Sequence, residues 1–306
     1  MSEFPAVDPV ERAVAVLRAG GLVAIPTETV YGLAADATNE TAVRRIFAVK
    51  GRPPDHPLIV HVADATLLPR WAAYVPPAAA VLADACWPGP LTLVVPKADD
   101  VLDVVTGGHD TVGVRVPAHP LCHALLERFG GGLAAPSANR FGRVSPTTAQ
   151  HVRDDLGDDV DFVLDGGPAP VGVESTIVDC SVDPPQVLRP GAITTEEIES
   201  LLGAAPAGAS GPSRAPGMLA SHYAPRARLV LAATDDEVAE LVARDPNAMP
   251  IGIGVTMVDY ARGLYGWLRD ADDRGVDLVV ARLPPAEGLG HAVRDRLFKA
   301  AAPRDG

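Results

Sequence analysis

Three arginines and a lysine stand where a cation is disfavoured unless an anion faces it. Lys50 and Arg52 flank Gly51 just where a helical pattern stops at Pro53-Pro54. Two fixed charges fanning from a helix end suit a phosphate. Arg115 interrupts the apolar run VGVRVP, and Arg189 closes a strand pattern in LRPG. A charge inside an apolar strand needs a partner, so each arginine is either solvated at an edge or an anion ligand. His61 lies inside LIVHVA and reads as a satisfied core imidazole before it reads as a ligand. His56, between Asp55 and Pro57, reads as a loop residue.

Small hydroxyls gather near these cations. Pro26–Gly32, PTETVYG, follows the apolar run Gly21–Ile25, and strand ends in α/β sheets are where ligands sit. Ser137-Ala138-Asn139 follows another short apolar stretch, Ser145-Pro146-Thr147 opens a helical pattern, and Ser175-Thr176 follows the Gly/Pro-rich run 166–172. Hydroxyls and turn amides suit phosphate or carboxylate oxygens. Each alone is an ordinary cap or turn; with the cations they describe an oxyanion site.

Other chemistries are absent from the sequence. There is no GxSxG, no HExxH and no GxxxxGK[ST] loop, so any ATP is held without a P-loop. Cys86, Cys122 and Cys180 are far apart with no CxxC and read as buried reduced thiols. No metal site built from protein side chains is expected. Net charge is −13: residues 1–205 hold 14 Lys+Arg against 26 Asp+Glu, and the rest 12 against 13. So acidic a surface disfavours a broad nucleic-acid face, and an anion site must be a local basic pocket. The start of the chain, MSEFPAVDP, lacks the apolar core of a signal peptide, and no run of about 18 apolar residues suggests a membrane span. A cytoplasmic protein is expected.

The elements that must position these residues follow from periodicity. Helices are expected at 9–19, 64–73, 77–85, 119–129, 147–156 and 195–202, and in the stretch that Asn39 or Thr41 caps; Ser145 or Thr147 caps 147–156, and Thr194 caps 195–202. Strands are expected at 21–25, 58–62, 91–96, 112–116, 162–164, 175–180 and 186–188, with 133–136 short and extended and 99–110 a polar loop. Some strands are joined by short turns, so a mixed sheet fits better than a parallel one. Residues 203–225 are rich in Ala, Gly, Pro and Ser and read as a linker. Beyond it, strands at 229–232, 251–255 and 278–283 alternate with helices at 235–243, 260–271 and 290–301. That is a small three-layer α/β unit of Rossmann type without a GxGxxG. The division expected is 1–204, 205–226 and 227–306.

Taken in order, PTETVYGL, KGRP with HPLIVH, WPGPLTLV, VGVRVP, APSAN, GVESTIVD and LRPG resemble the YrdC-like threonylcarbamoyl-AMP synthases. APGMLASHYAP and the tail with GLGHAVRDRLFKAA resemble the two-domain, long form of that family. The likeness spans residues 10–303. It implies a twisted α/β sheet around a large basic cavity and an enzyme that joins L-threonine, bicarbonate and ATP, with Mg²⁺, into threonylcarbamoyl-AMP and pyrophosphate. The product is an intermediate of tRNA threonylcarbamoyladenosine synthesis, passed to a tRNA-threonylcarbamoyl transferase machinery. The likeness places L-threonine near Thr29, His61, Arg115, Ala135 and Ser175. It places ATP near Arg52, His56, Thr111, Ser137, Ser145 and Arg189, with Lys50 and Asn139 close by and Tyr223 reaching back over the nucleotide. No general base is identifiable; Glu28 and His61 are the candidates. Two other readings remain: an RNA- or tRNA-binding module, which the charge disfavours, and a carbamoyl-transfer module of the hydrogenase-maturation type, whose zinc-finger segments would bring CxxC motifs.

Overall fold

A computed structural model describes residues 8–209, 215–216 and 223–303. Thirteen strands form two sheets. In chain order, ten belong to the larger sheet: β1 (Val23–Ile25), β2 (Gly32–Asp36), β3 (Ile59–His61), β4 (Leu91–Pro96), β5 (Thr111–Arg115), β6 (Leu133–Ala134), β7 (Phe162–Val163), β8 (Thr176–Asp179), β9 (Gln186–Arg189) and β10 (Ala207–Gly208). Their spatial order is β10-β9-β8-β4-β5-β3-β6-β2-β1-β7, with parallel and antiparallel pairs mixed as expected. The register sets His61 on β3 beside Arg115 on β5, so two residues 54 positions apart in sequence become neighbours at one strand end.

Helices cover the sheet for local reasons. Pro9–Arg18 is capped by the Asp8 carboxylate and buries Ala13, Val14 and Leu17. Glu40–Lys50 is capped by Asn39, buries Val43, Ile46 and Phe47, and stops at Gly51 in the left-handed conformation. Thr195–Leu202 begins with the reciprocal capping box of Thr194 and Glu197.

Several expectations are corrected. Strand β2 is missing from the pattern reading because GLAAD has little intrinsic strand preference; pairing on both sides makes it a strand. Thr148, rather than Ser145 or Thr147, caps the helix Ala149–Leu156, because the chain turns later than Pro146. The 99–110 loop contains the helical turn Asp103–Thr106. The stretch read as unstructured linker contributes β10, paired with β9; of APGMLASHYAP only Ala215, Pro216 and Tyr223–Pro225 lie within the described residues.

The second sheet holds β11 (Arg228–Ala232), β12 (Met249–Ile251) and β13 (Leu278–Arg282), all parallel, in the order β11-β13-β12. Pro250 is tolerated because β12 is an edge strand. Helices Asp235–Arg244, Met257–Asp273 and Gly290–Ala301 flank it. The two sheets share a core: Val30, Val144 and Val173 pack with Tyr223, Tyr260, Tyr265, Leu268 and Leu297. At Gly172 the two layers approach backbone to backbone. The glycine's φ is +84°, and a Cβ there would lie 2.5 Å from the Cα of Arg262 on the long helix, whose Nε donates to Pro170 O at 2.9 Å. Gly172→Ala is therefore expected to lower the urea midpoint by a stability loss of about 1–3 kcal/mol. An unchanged midpoint would show that the two layers do not depend on this approach.

Candidate functional site

A cleft opens where β1, β3, β5, β6 and β9 end and β2 and β8 begin. Its floor is the loop between β1 and β2. Thr27 organises that loop: its Oγ1 donates to Val30 O at 2.6 Å and accepts from the amides of Thr29 and Val30. This fixes Thr29, whose Oγ1 accepts from Arg115 Nη1 at 2.9 Å. The Arg115 guanidinium also donates from Nε to Gly89 O at 3.2 Å and pairs through Nη2 with Glu28 Oε1 at 2.6 Å. Arg115 is buried, and so is Glu28, whose second oxygen accepts from the Ala118 amide. Of the five guanidinium hydrogens, two make hydrogen bonds, to Gly89 and Thr29, and the Nη2 contact with Glu28 is an ion pair without hydrogen-bond geometry, which leaves hydrogens on the terminal nitrogens to meet a ligand carboxylate. His61 lies beside this pair. Burial, then the Arg115 charge, pushes its pKa down to about 3, so it is neutral near pH 7.

The opposite wall is built on arginines too. Arg189 grips Ser175, with Nε and Nη2 on the carbonyl at 3.0 and 2.9 Å and Nη2 on Oγ at 3.0 Å; Nη1 reaches Pro216 O at 3.2 Å. Ser175 Oγ also lies 2.8 Å from Thr92 Oγ1. Arg52 donates to Pro57 O at 2.9 Å, while its buried Nε has no hydrogen-bond partner among the described residues. Burial lowers its pKa to about 10, and it stays charged. Ala135, Pro136 and Ser137 complete the rim, and Tyr223 closes one side. Tyr223 has φ +62°, the one positive φ of a non-glycine residue among those described, a conformation that costs roughly 1–2 kcal/mol. Packing must impose it.

The cleft thus gathers Thr29, Arg52, His61, Arg115, Ala135, Ser137, Ser175, Arg189 and Tyr223, from eight separate parts of the sequence. Five other candidate residues stand outside its lining. Lys50 is buried, with Nζ on the carbonyls of Ser137 and Asn139 at 2.5 Å each. Burial drives its pKa well below the usual lysine value. The helix-end pair reading is corrected on this point: Arg52 faces the cleft, and Lys50 ties the helix end to the Ser137 loop. Asn139 Nδ2 holds the carbonyls of Arg140 and Arg143. Ser145 donates to Glu174 at 2.6 Å. His56 packs its ring against Phe141. Thr111 lines a small neighbouring hollow with Thr92, Gly113 and Pro216. Of the two base candidates, Glu28 pairs with Arg115 and accepts from the Ala118 amide, and His61 is neutral.

One charged cleft residue escaped the sequence reading. Glu174, in GVESTIVD, lines the cleft and is its one carboxylate among the described residues. It accepts from Ser145, from Tyr265 OH at 2.7 Å and from Arg296 Nε at 2.8 Å. Desolvation opposes its charge, yet Arg296 and Arg189 overcome it and hold the pKa at about 2. The argument that singles out Arg115, a charge in an apolar run, applies equally to this position.

Three buried arginines and strand-end hydroxyls line one cleft in a mixed α/β sheet, the donor set that suits small oxyanions. Comparison with known proteins sharpens that reading. A family model described as Telomere recombination matches residues 15–191, and one described as Threonylcarbamoyl-AMP synthase, C-terminal domain, matches residues 193–302. The threonylcarbamoyl-AMP synthase of Pyrococcus abyssi is 42% identical, across 95% of this chain and 94% of that protein, and that of Bacillus subtilis 41%, across 96% and 93%. The crystal structure of P. abyssi Sua5 complexed with L-threonine superposes with a TM-score of 0.91 at 42% identity, covering 95% of this chain and 94% of that one. The chain belongs to the threonylcarbamoyl-AMP synthase family, in its two-part form.

The neutral imidazole has a consequence for pH. The folded pKa of His61 lies below its unfolded value of about 6.5. The stability it contributes is therefore full above pH 6.5 and is lost as pH falls toward 3. Unfolding measured between pH 7 and 4.5 should show declining stability, and His61→Asn should flatten that decline. An unchanged slope in the variant would mean that the imidazole is not held neutral.

Proposed function

We propose that this chain condenses L-threonine, bicarbonate and MgATP into threonylcarbamoyl-AMP, pyrophosphate and water. The observation that carries the reading is the pre-oriented Arg115: fixed by Glu28, Thr29 and Gly89, it retains hydrogens for a carboxylate at the end of an apolar strand. In this reading Arg115 clamps the threonine carboxylate, with Thr29, His61, Ala135 and Ser175 around the rest of the amino acid. The amine attacks bicarbonate, a C–N bond forms and water leaves; a carbamate oxygen then attacks the α-phosphorus and pyrophosphate departs. Holding the amine, the bicarbonate and the α-phosphate in line does most of the work, and the positive charge of Arg52 and Arg189 favours the departing phosphates. Ser137 and Tyr223 contact the nucleotide, and Lys50, Asn139 and Ser145 act behind them by fixing the loops. His56 and Thr111 are placed at the nucleotide's outer edge.

Mg²⁺ enters here as part of the nucleotide. No group of three His, Cys, Asp or Glu suited to a metal occurs among the described residues, and the one cleft carboxylate is taken by Ser145, Tyr265 and Arg296. We read 1–204 as the catalytic unit, 205–226 as the linker over the site and 227–306 as the C-terminal unit. The product passes to a tRNA-modifying transferase in the cytoplasm.

The reading requires that pyrophosphate release depend on both L-threonine and bicarbonate; release without either would sink it. A second test separates the roles. Removing Arg115 alone strands a buried carboxylate, so Arg115→Ala is made together with Glu28→Gln. L-Threonine affinity by calorimetry should fall about 100-fold, while ATP affinity changes less than about threefold. Equal loss of both would refute the assignment of Arg115.

A further inference from the structure

The Glu174 cluster joins the two sheets at the cleft, and Glu174, Tyr265 and Arg296 have no place in the reaction as written. Glu174 stands next to Ser175 in the cleft wall. Two of its three partners, Tyr265 and Arg296, come from the helices that flank the second sheet. Arg296 is fully buried. Besides Glu174 it holds Pro190 O at 2.9 Å and Asp295 at 2.7 Å, so it also fixes the residue that follows Arg189. Its guanidinium carbon lies 5.4 Å from the Tyr223 ring centroid, and Tyr265 stacks on Tyr223 at 5.6 Å with a 29° tilt. Tyr223 is the residue held at φ +62°.

A buried ion pair of this kind is a poor stabilising device, since apolar side chains of similar volume often serve as well. Its placement accounts for it better. A bare carboxylate would repel a polyphosphate from a cleft otherwise lined by cations. Arg296 neutralises that carboxylate, and the same two side chains, Arg296 and Tyr265, fix the ring of a backbone-strained tyrosine in the cleft wall.

We infer that Glu174 is a positioning residue through which Arg296 and Tyr265 of the C-terminal unit clamp Tyr223, so that the nucleotide side of the cleft is completed by that unit and not by the larger sheet alone. This rests on the nucleotide reading above. It makes the C-terminal unit a structural part of the ATP site and leaves the threonine side, built on Arg115 from the larger sheet, independent of it.

The test uses the full chain with Arg296→Met, Tyr265→Phe, Glu174→Gln and the Glu174→Gln/Arg296→Met double variant. Arg296→Met should weaken MgATP binding by calorimetry at least tenfold while L-threonine affinity stays within threefold. Adding Glu174→Gln should restore a large part of the ATP loss, because the repelling charge is gone. Tyr265→Phe, which keeps the ring but drops the hydroxyl, should give a smaller loss of the same kind. A merely structural role would weaken both ligands alike, or neither, with no rescue in the double variant; any of these overturns the clamp. Amide exchange over residues 223–229 gives a readout that needs no ligand. It should quicken in Arg296→Met relative to the flanks of the larger sheet, and unchanged exchange there would also overturn the proposal. Should wild-type protein fail to make pyrophosphate, the functional reading falls, while the exchange result still decides the clamp.

Discussion

The buried ion pair of Arg115 and Glu28 is the constraint on which the site depends. A guanidinium placed at the end of an apolar strand loses its hydration, and only a closely held carboxylate offsets that loss. Glu28 supplies it at 2.6 Å, and the Thr27-centred turn supplies the geometry that brings Glu28 and Thr29 to the same guanidinium. The loop between β1 and β2 is thus shaped by the needs of a charge carried on β5. The pair also accounts for His61: an imidazole on the neighbouring strand, buried beside a permanent cation, is held neutral. The guanidinium thus adds to burial in keeping one neighbour neutral and retains hydrogens to take an anion.

Much of this arrangement was legible in the sequence because it rests on local signals. Charges inside apolar runs marked Arg115 and Arg189, and a strand end crowded with hydroxyls marked the Thr29 loop. Caps and glycine stops marked most helices, and alternation of short strands and turns marked a mixed sheet. What was not legible depended on tertiary pairing. β2 is a strand because it has two neighbours, not because GLAAD prefers to be one. Lys50 and Arg52 are two residues apart at a helix end, yet the helix sends one side chain to loop carbonyls and the other to the cleft. No spacing rule distinguishes them; the path of the Ser137–Asn139 loop does. Glu174 was overlooked because its partners lie about 90 and 120 residues later, on helices of the second sheet.

The second sheet changes meaning in this light. Taken alone it is a small parallel α/β unit of three strands. In place, it shares an apolar core with the larger sheet, meets it backbone to backbone at Gly172 and sends Arg296 and Tyr265 to the edge of the cleft. The cleft therefore has two walls of different origin. The Arg115 wall is set wholly within the larger sheet, and the Tyr223 wall is supported from the second.

The central claim is that Arg115 is pre-oriented as a carboxylate clamp. Calorimetric titration of the wild-type protein with L-threonine and with L-threoninamide tests it most directly, since the amide keeps the side chain and the amine and lacks only the carboxylate charge. The account predicts that L-threoninamide binds about 100-fold more weakly, the ~3 kcal/mol expected of charge-assisted hydrogen bonds to one group. Binding of the two within a few-fold of each other would contradict it.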